Sequence, residues 1–413
     1  MAVKRNIWKI FISISIIGIL SCGTKSKTTE KMSMETFEKG TYGYDYKFLK
    51  KYSDPIELAS GKAKVLILAE YQGRVMTSSA NGESGLSYGW INHDFLASGK
   101  VLEQFNPVGG EERFWLGPEG GQFSLYFPNG SNFDFADWQV PPCIDTEPFD
   151  IKSVNANSAV FTKSIHLKNY SNFEFEIGVE REITLLSDSE IQKTLDISYD
   201  KSIKTVGYET KNQLTNNGTE DWEKEKGLVS VWLLGMFNPS DEVTIIVPYK
   251  TEVETGYIVK DDYFGKITSD RLKVKDGVIY FKGDGKQRGK IGVPPLRAMP
   301  LLGSYDALNK ALTIVRCDIK EGETDYVNSA WEIQDEPYKG DAINSYNDGP
   351  LEDGTQMGPF YELESSSPAL KLKVGEKAVF KQSTFHFEGS EEDLDSLCQQ
   401  IFNIGISEIK AAF

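Results

Sequence analysis

Two glutamates stand two residues apart in Phe360-Tyr361-Glu362-Leu363-Glu364-Ser365. In a strand, that spacing sends both carboxylates out of the same face. Carboxylates held close together push their proton affinities apart, so that one can serve as acid and the other as base. An exposed acidic strand face would show the same spacing, as Glu174, Glu176, Glu180 and Glu182 do earlier in the chain. A second group lies in Gly109-Gly110-Glu111-Glu112-Arg113-Phe114-Trp115-Leu116-Gly117-Pro118-Glu119-Gly120-Gly121. Arg113, Trp115 and Glu119 supply what sugar recognition needs: a flat aromatic surface for the C–H face of a pyranose, and planar polar groups for paired hydrogen bonds to neighbouring hydroxyls. The glycines let backbone come close to a ligand. Tight turns, a core tryptophan and an internal arginine–glutamate pair would account for the same residues, but the loop-like position favours binding.

Three histidines are present, and imidazole is the usual proton donor near neutral pH. His93, in the polar run Trp90-Ile91-Asn92-His93-Asp94, is the best placed to line a site; His166 and His386 fall in strand-like runs and read as structural or surface groups. The polar segment holding Asp341, Asn344, Tyr346, Asn347 and Asp348 could line a cleft, with turn formation as the plainer explanation. It lacks the spacing of a calcium-binding EF-hand loop, and neither a metal nor a cofactor is expected. The chain has no Walker loop, Gly-x-Ser-x-Gly elbow or His-Glu-x-x-His pair, so phosphoryl transfer, serine-hydrolase and zinc-peptidase chemistry lose their usual support. A formal charge of -16 without clustered Lys and Arg argues against a nucleic-acid partner.

The elements that must position these groups are strands. Between Phe173 and Ile183, apolar residues alternate with glutamates and glycine, as in an antiparallel sheet with one wet face. Similar runs occur at 65–69, 123–127, 191–199, 228–234, 243–247, 312–317, 370–374 and 378–387, separated by turn signals such as Asp276-Gly277 and Asp284-Gly285. No helix-period segment alternates with them, which argues against βαβ units. The exception is the C-terminus, where Ser390 caps an acidic first turn followed by the apolar face Leu394, Leu397, Cys398 and Ile401. The expected fold class is therefore all-β, large and antiparallel, with a short C-terminal helix.

At the other end, Lys4, Arg5 and Lys9 precede an uncharged run from Ile10 to Leu20, shorter than the roughly 20 residues that span a bilayer. The run ends in Ile19-Leu20-Ser21-Cys22-Gly23, which resembles the lipobox of bacterial lipoproteins. The expectation is a signal peptide over 1–21, lipidation and membrane anchoring at Cys22, a tether over 22–39, and one domain over 40–413 at the cell envelope. Cys143, Cys317 and Cys398 show no C-x-x-C spacing and no legible disulfide framework.

Several segments together resemble the galactose mutarotase-like superfamily, whose fold is a β-supersandwich. The run from Phe360 to Ser365, followed by Pro368 and Leu370-Lys371-Leu372-Lys373-Val374-Gly375-Glu376, is similar to the aldose-epimerase segment in which a Leu-Glu-Thr strand precedes a Pro-Gly-Glu turn. Leu214-Thr215-Asn216-Asn217-Gly218 is similar to the epimerases' central Thr-Asn motif, with Asn217 where they carry a histidine. The block around Trp115, with Gly73-Arg74-Val75-Met76 and Asn344-Ser345-Tyr346-Asn347-Asp348-Gly349, resembles uncharacterised bacterial relatives. The resemblance implies carbohydrate as ligand, Glu364 as general base, and Arg113, Trp115, Glu119, Glu362, Asn217 and Asn347 as substrate contacts. It implies aldose-epimerase-like chemistry, with His93 as the acid in place of the missing histidine. A non-catalytic glycan-binding protein and a glycan hydrolase or lyase are the alternatives, since fold does not decide function.

Overall fold

The computed structural model describes residues 37–413; the expected signal peptide and Cys22 lie outside them. In chain order the first strands are β1 (Ile56–Ser60), β2 (Ala63–Leu68), β3 (Arg74–Ser79), β4 (Arg113–Gly117), β5 (Asp150–Val154) and β6 (Ser158–Lys168). They continue with β7 (Glu174–Leu185), β8 (Lys204–Asn216), β9 (Ser230–Phe237), β10 (Val243–Pro248), β11 (Leu272–Lys275) and β12 (Val278–Lys282). The remainder are β13 (Gly289–Val293), β14 (Leu301–Asp306), β15 (Ala311–Cys317), β16 (Ile343–Asn347), β17 (Tyr361–Ser366) and β18 (Lys377–Glu388). The helices are short: α1 (Tyr42–Leu49), α2 (His93–Ser98), α3 (Asp188–Leu195), α4 (Glu391–Phe402) and α5 (Ile406–Lys410).

The strands form a ten-stranded sheet in the order β11-β12-β10-β14-β15-β18-β8-β7-β6-β5, a five-stranded sheet β13-β16-β17-β9-β4, and a three-stranded sheet β1-β2-β3. The fold is thus mostly antiparallel sheet with few, small helices, as the alternation predicts. On β7, Phe175, Ile177, Val179, Ile183 and Leu185 are buried while Glu174 and Glu176 are exposed. This inner face meets Phe114 and Leu116 of β4, Leu233 of β9 and Leu363 of β17 in one core between the large sheets. Arg181 interrupts the apolar row of β7 and is itself fully buried. Its guanidinium donates to Glu112 Oε1 at 2.8 Å and to the Gly73 carbonyl at 3.1 Å, so the charge leaves water only because partners are supplied.

The outer face of the ten-stranded sheet is closed by α4 and α5, which set Leu394, Leu397, Phe402 and Ile409 on Leu312, Ile314, Phe385 and Phe387. As expected, the Ser390 hydroxyl accepts from the Asp393 N–H at 3.1 Å at the start of α4. The three-stranded sheet packs Leu66, Leu68 and Met76 under Tyr42 and Leu49 of α1.

Three expected strands are absent. Residues 123–127 are a turn-rich segment held by the Ser124 hydroxyl, which accepts from the Tyr126 N–H at 2.9 Å. Residues 191–195 belong to α3, whose capping box at Ser187 and Glu190 is a local helix signal stronger than the apolar spacing after it. Residues 370–374 form only an isolated bridge from Leu370 to Val229.

Candidate functional site

The five-stranded sheet packs one face on the ten-stranded sheet and carries polar chemistry on the other. Its register sets Glu364 opposite Leu234 and Asn344, with Arg113 on the far side of Leu234. The neighbouring row sets Glu362 between Met236 and Tyr346, with Lys290 beyond Tyr346. A third row pairs Trp115 with Trp232. Because side chains alternate, all of these leave the sheet on one side. Glu362 and Glu364 therefore share a face with Arg113 and Trp115, from a strand some 250 positions away in the chain, as the sequence could not place them alone.

The groups touch one another. Arg113 Nη2 donates to Glu362 Oε1 at 3.3 Å, and its guanidinium lies 4.0 Å from the centre of the Trp115 ring. Glu364 Oε2 accepts from Trp232 Nε1 and from Lys290 Nζ, each at 2.9 Å. Glu119, just beyond β4, accepts from Trp138 Nε1 at 3.1 Å. Beside the site, Asn344 Nδ2 donates to the Tyr263 hydroxyl at 3.4 Å, and Tyr263 and Tyr257 both bond to Asp341.

Glu364 is fully buried and Arg113, Trp115 and Glu362 nearly so. Yet Glu364 Oε1, Arg113 Nε and Trp115 Nε1 have no hydrogen-bond partner. Buried polar atoms are usually partnered, and these three, of fifteen left without a partner among the described residues, lie on one patch of sheet. Electrostatics single out Glu362. Burial pushes Glu362 up to about 8, with Glu364 adding to the rise and Arg113 opposing it. The fold therefore favours the neutral form of Glu362. Burial also raises Glu119, against the pull of Lys290. For Lys290, burial favours the neutral amine, but Glu364, Glu119 and Glu362 together outweigh it and hold the ammonium above its ordinary value.

Other residues singled out from the sequence sit elsewhere. His93 opens α2, where its Nε2 meets Asp45 Oδ1 at 2.6 Å between the rings of Tyr44 and Phe48. It lines a separate cavity of about 850 Å³ together with Phe237, Thr313 and Tyr361. Tyr361 is on the face of β17 opposite Glu362 and Glu364, so the imidazole is not brought to them. Asn217 is exposed in the turn after β8, and its backbone N–H donates to the Glu176 carbonyl at 2.8 Å on the ten-stranded sheet. Asn347 alternates away from Asn344 and Tyr346; its amide donates to the Gln287 carbonyl and accepts from the Gly285 N–H, each at 2.9 Å, which ties down a loop. His166 is exposed beside Glu176, and His386 is buried between Glu111 and Thr313. Cys143, Cys317 and Cys398 are buried free thiols.

Sequence reasoning missed Lys290 and Trp232. Trp232 looks like one more apolar residue in Ser230-Val231-Trp232-Leu233, and Lys290 sits in a short glycine-bounded run with no motif around it. Among the described residues no cluster of His, Cys, Asp and Glu is arranged to hold a metal ion, and no helix is long and apolar enough to cross a membrane.

Residues 40–413 match the model of a family of unknown function (DUF6786), and the chain belongs to that family. Compared by sequence with curated proteins, it finds no match. Among solved structures it is similar to a candidate aldose 1-epimerase from Escherichia coli K12, at 13% identity and a TM-score of 0.47, covering 81% of this chain and 98% of the other. It is also similar to a galactose mutarotase-like protein from Lactobacillus casei ATCC 334, at 11% identity and a TM-score of 0.45, covering 81% and 100%. A galactose mutarotase related enzyme from Lactobacillus acidophilus gives 9% identity and a TM-score of 0.44, covering 81% and 97%. These three neighbours are described as aldose-epimerase and galactose mutarotase-like proteins.

Proposed function

We propose that this protein is a cell-envelope lipoprotein that binds a sugar on the polar face of the five-stranded sheet and interconverts its anomers by acid–base chemistry. The observation that carries the reading is the set of three buried, unpartnered polar atoms, Glu364 Oε1, Arg113 Nε and Trp115 Nε1, on one face. Ring hydroxyls supply the missing partners. In this reading Glu364 is the base. Lys290 and Trp232 hold its Oε2, leaving Oε1 to take the proton of the anomeric hydroxyl. Glu362 is the acid, replacing the imidazole expected of His93: Arg113 occupies its Oε1, and the protonated carboxyl gives its proton to the ring oxygen as the C1–O5 bond breaks. The open-chain carbonyl turns about C1–C2, and closure on its other face returns both protons.

Calorimetric titration with a sugar panel, beside polarimetry of freshly dissolved anomers, tests this. Glu364→Gln should keep affinity and lose turnover, because the amide preserves shape and removes the base, while Arg113→Ala should weaken binding itself. Faster interconversion that survives Glu364→Gln would sink the catalytic assignment. A binding-only protein is the second reading, favoured by the placement of all three histidines away from this face. Sugar affinity lost in Arg113→Ala without any acceleration of anomer exchange would decide for it.

A further inference from the structure

Near Glu119, the residues Phe135 and Trp331 are 65% and 37% exposed. Both lie nearly parallel to the buried ring of Trp138, with centroids at 5.9 Å and 17° for Phe135 and 6.0 Å and 24° for Trp331. Trp138 joins this terrace to the site. Its indole N–H bonds to Glu119, and Phe105 sets an edge against both Trp138 and Trp115, at 5.9 and 5.7 Å.

The backbone of both loops is tied down. The Gln104 amide donates to the carbonyls of Phe135 and Trp138 at 2.7 and 3.1 Å. Gln122 and Gln334 exchange two hydrogen bonds, 2.8 and 3.0 Å, that brace the segment carrying Trp331. Large aromatic residues left partly in water on braced loops gain little burial, and that arrangement is worthwhile where a ligand stacks. The same two loops expose Asp134, Asp137, Glu332 and Asp335, with no Lys or Arg from 131 to 140 or from 328 to 336. A negative rim repels acidic glycans and anionic lipid headgroups alike, and aromatic rings suit an uncharged partner with flat C–H faces.

We propose that the sugar held at the Glu362–Glu364 site is one unit of a neutral oligosaccharide, and that Phe135 and Trp331 form a platform for the adjoining unit. The proposal rests on the carbohydrate reading above and adds to it the length and charge of the ligand. One stacked sugar ring is expected to tighten binding roughly tenfold, or about 1.4 kcal/mol.

The test is a ratio, measured by calorimetry on the mature chain. Neutral di- and tetrasaccharides of gluco-, galacto- and manno-configured units are compared with their parent monosaccharides, using wild type, Phe135→Ala and Trp331→Ala. The expected result is an oligosaccharide preference of tenfold or more in wild type, falling toward one in each variant, with thermal melts confirming that both variants fold. Monosaccharide and oligosaccharide affinities that are equal in wild type, or a preference unchanged in both variants, overturn the platform while leaving the site reading intact. Tighter binding of acidic than of neutral oligosaccharides overturns the charge assignment. Binding to phosphatidylethanolamine–phosphatidylglycerol vesicles that both variants lose, with an unchanged glycan ratio, assigns the rings to a membrane surface and also overturns it. No binding of any sugar, short or long, removes the carbohydrate reading and the platform together.

Discussion

Replacing Glu362 by glutamine isolates one ionisation from all the others in the protein. In the fold this carboxyl is pushed by burial from 4.5 up to about 8. A raised folded value means that the fold favours the neutral form, so the group's contribution is intact below about pH 4.5, is lost progressively as pH rises through about 8, and then levels off. At about 1.4 kcal/mol per pH unit, the gap between those two values bounds the loss at about 5 kcal/mol. Glutamine keeps the shape and can still accept from Arg113, but it cannot ionise. The variant should match wild type near pH 5 and exceed it by a few kcal/mol at pH 9, with the difference opening mainly between pH 5 and 8. Urea unfolding of both proteins at pH 5, 7 and 9 reads this directly, since contributions common to both cancel. A stability difference that does not change with pH would mean that Glu362 ionises in the fold as easily as in the unfolded chain, and the acid role would fall with it.

Anomer interconversion, where it is observed, should slow as pH rises through about 8, because Glu362 then lacks the proton it donates; a rate that rises through that range contradicts the assignment. Lys290→Met should destabilise the protein by about 3–5 kcal/mol by leaving the buried Glu364 carboxylate without its cation, and adding Glu364→Gln should restore much of the loss; strictly additive effects in urea melts would show the pair uncoupled. Arg181→Met should remove about 3–5 kcal/mol by stranding fully buried Glu112, and a loss below about 1 kcal/mol would refute the role given to that pair. Cys22→Ser should move the protein from the membrane fraction to the soluble one, since the lipid is the proposed anchor; retention with normal signal processing would refute it.

What could be read from the sequence was whatever depends on neighbours in the chain. Alternation along Phe173 to Ile183 states which face of β7 is buried, Asp276-Gly277 marks the hairpin between β11 and β12 with φ of 50° and 84°, and Ser390 marks the start of α4. The spacing of Glu362 and Glu364 already required a common face. Local signals were misread where two competed, as at α3, where the capping box at Ser187 overrides a strand-like run. The tertiary structure alone decided which strands lie side by side. The order β13-β16-β17-β9-β4 sets Lys290 and Trp232 against Glu364 and Arg113 against Glu362, and it leaves His93, Asn217 and Asn347 on other surfaces. Side-chain period is a property of a single strand, whereas sheet order depends on pairings between distant segments and on the burial of a face against another sheet, so a carboxylate's spacing is legible and its cation is not.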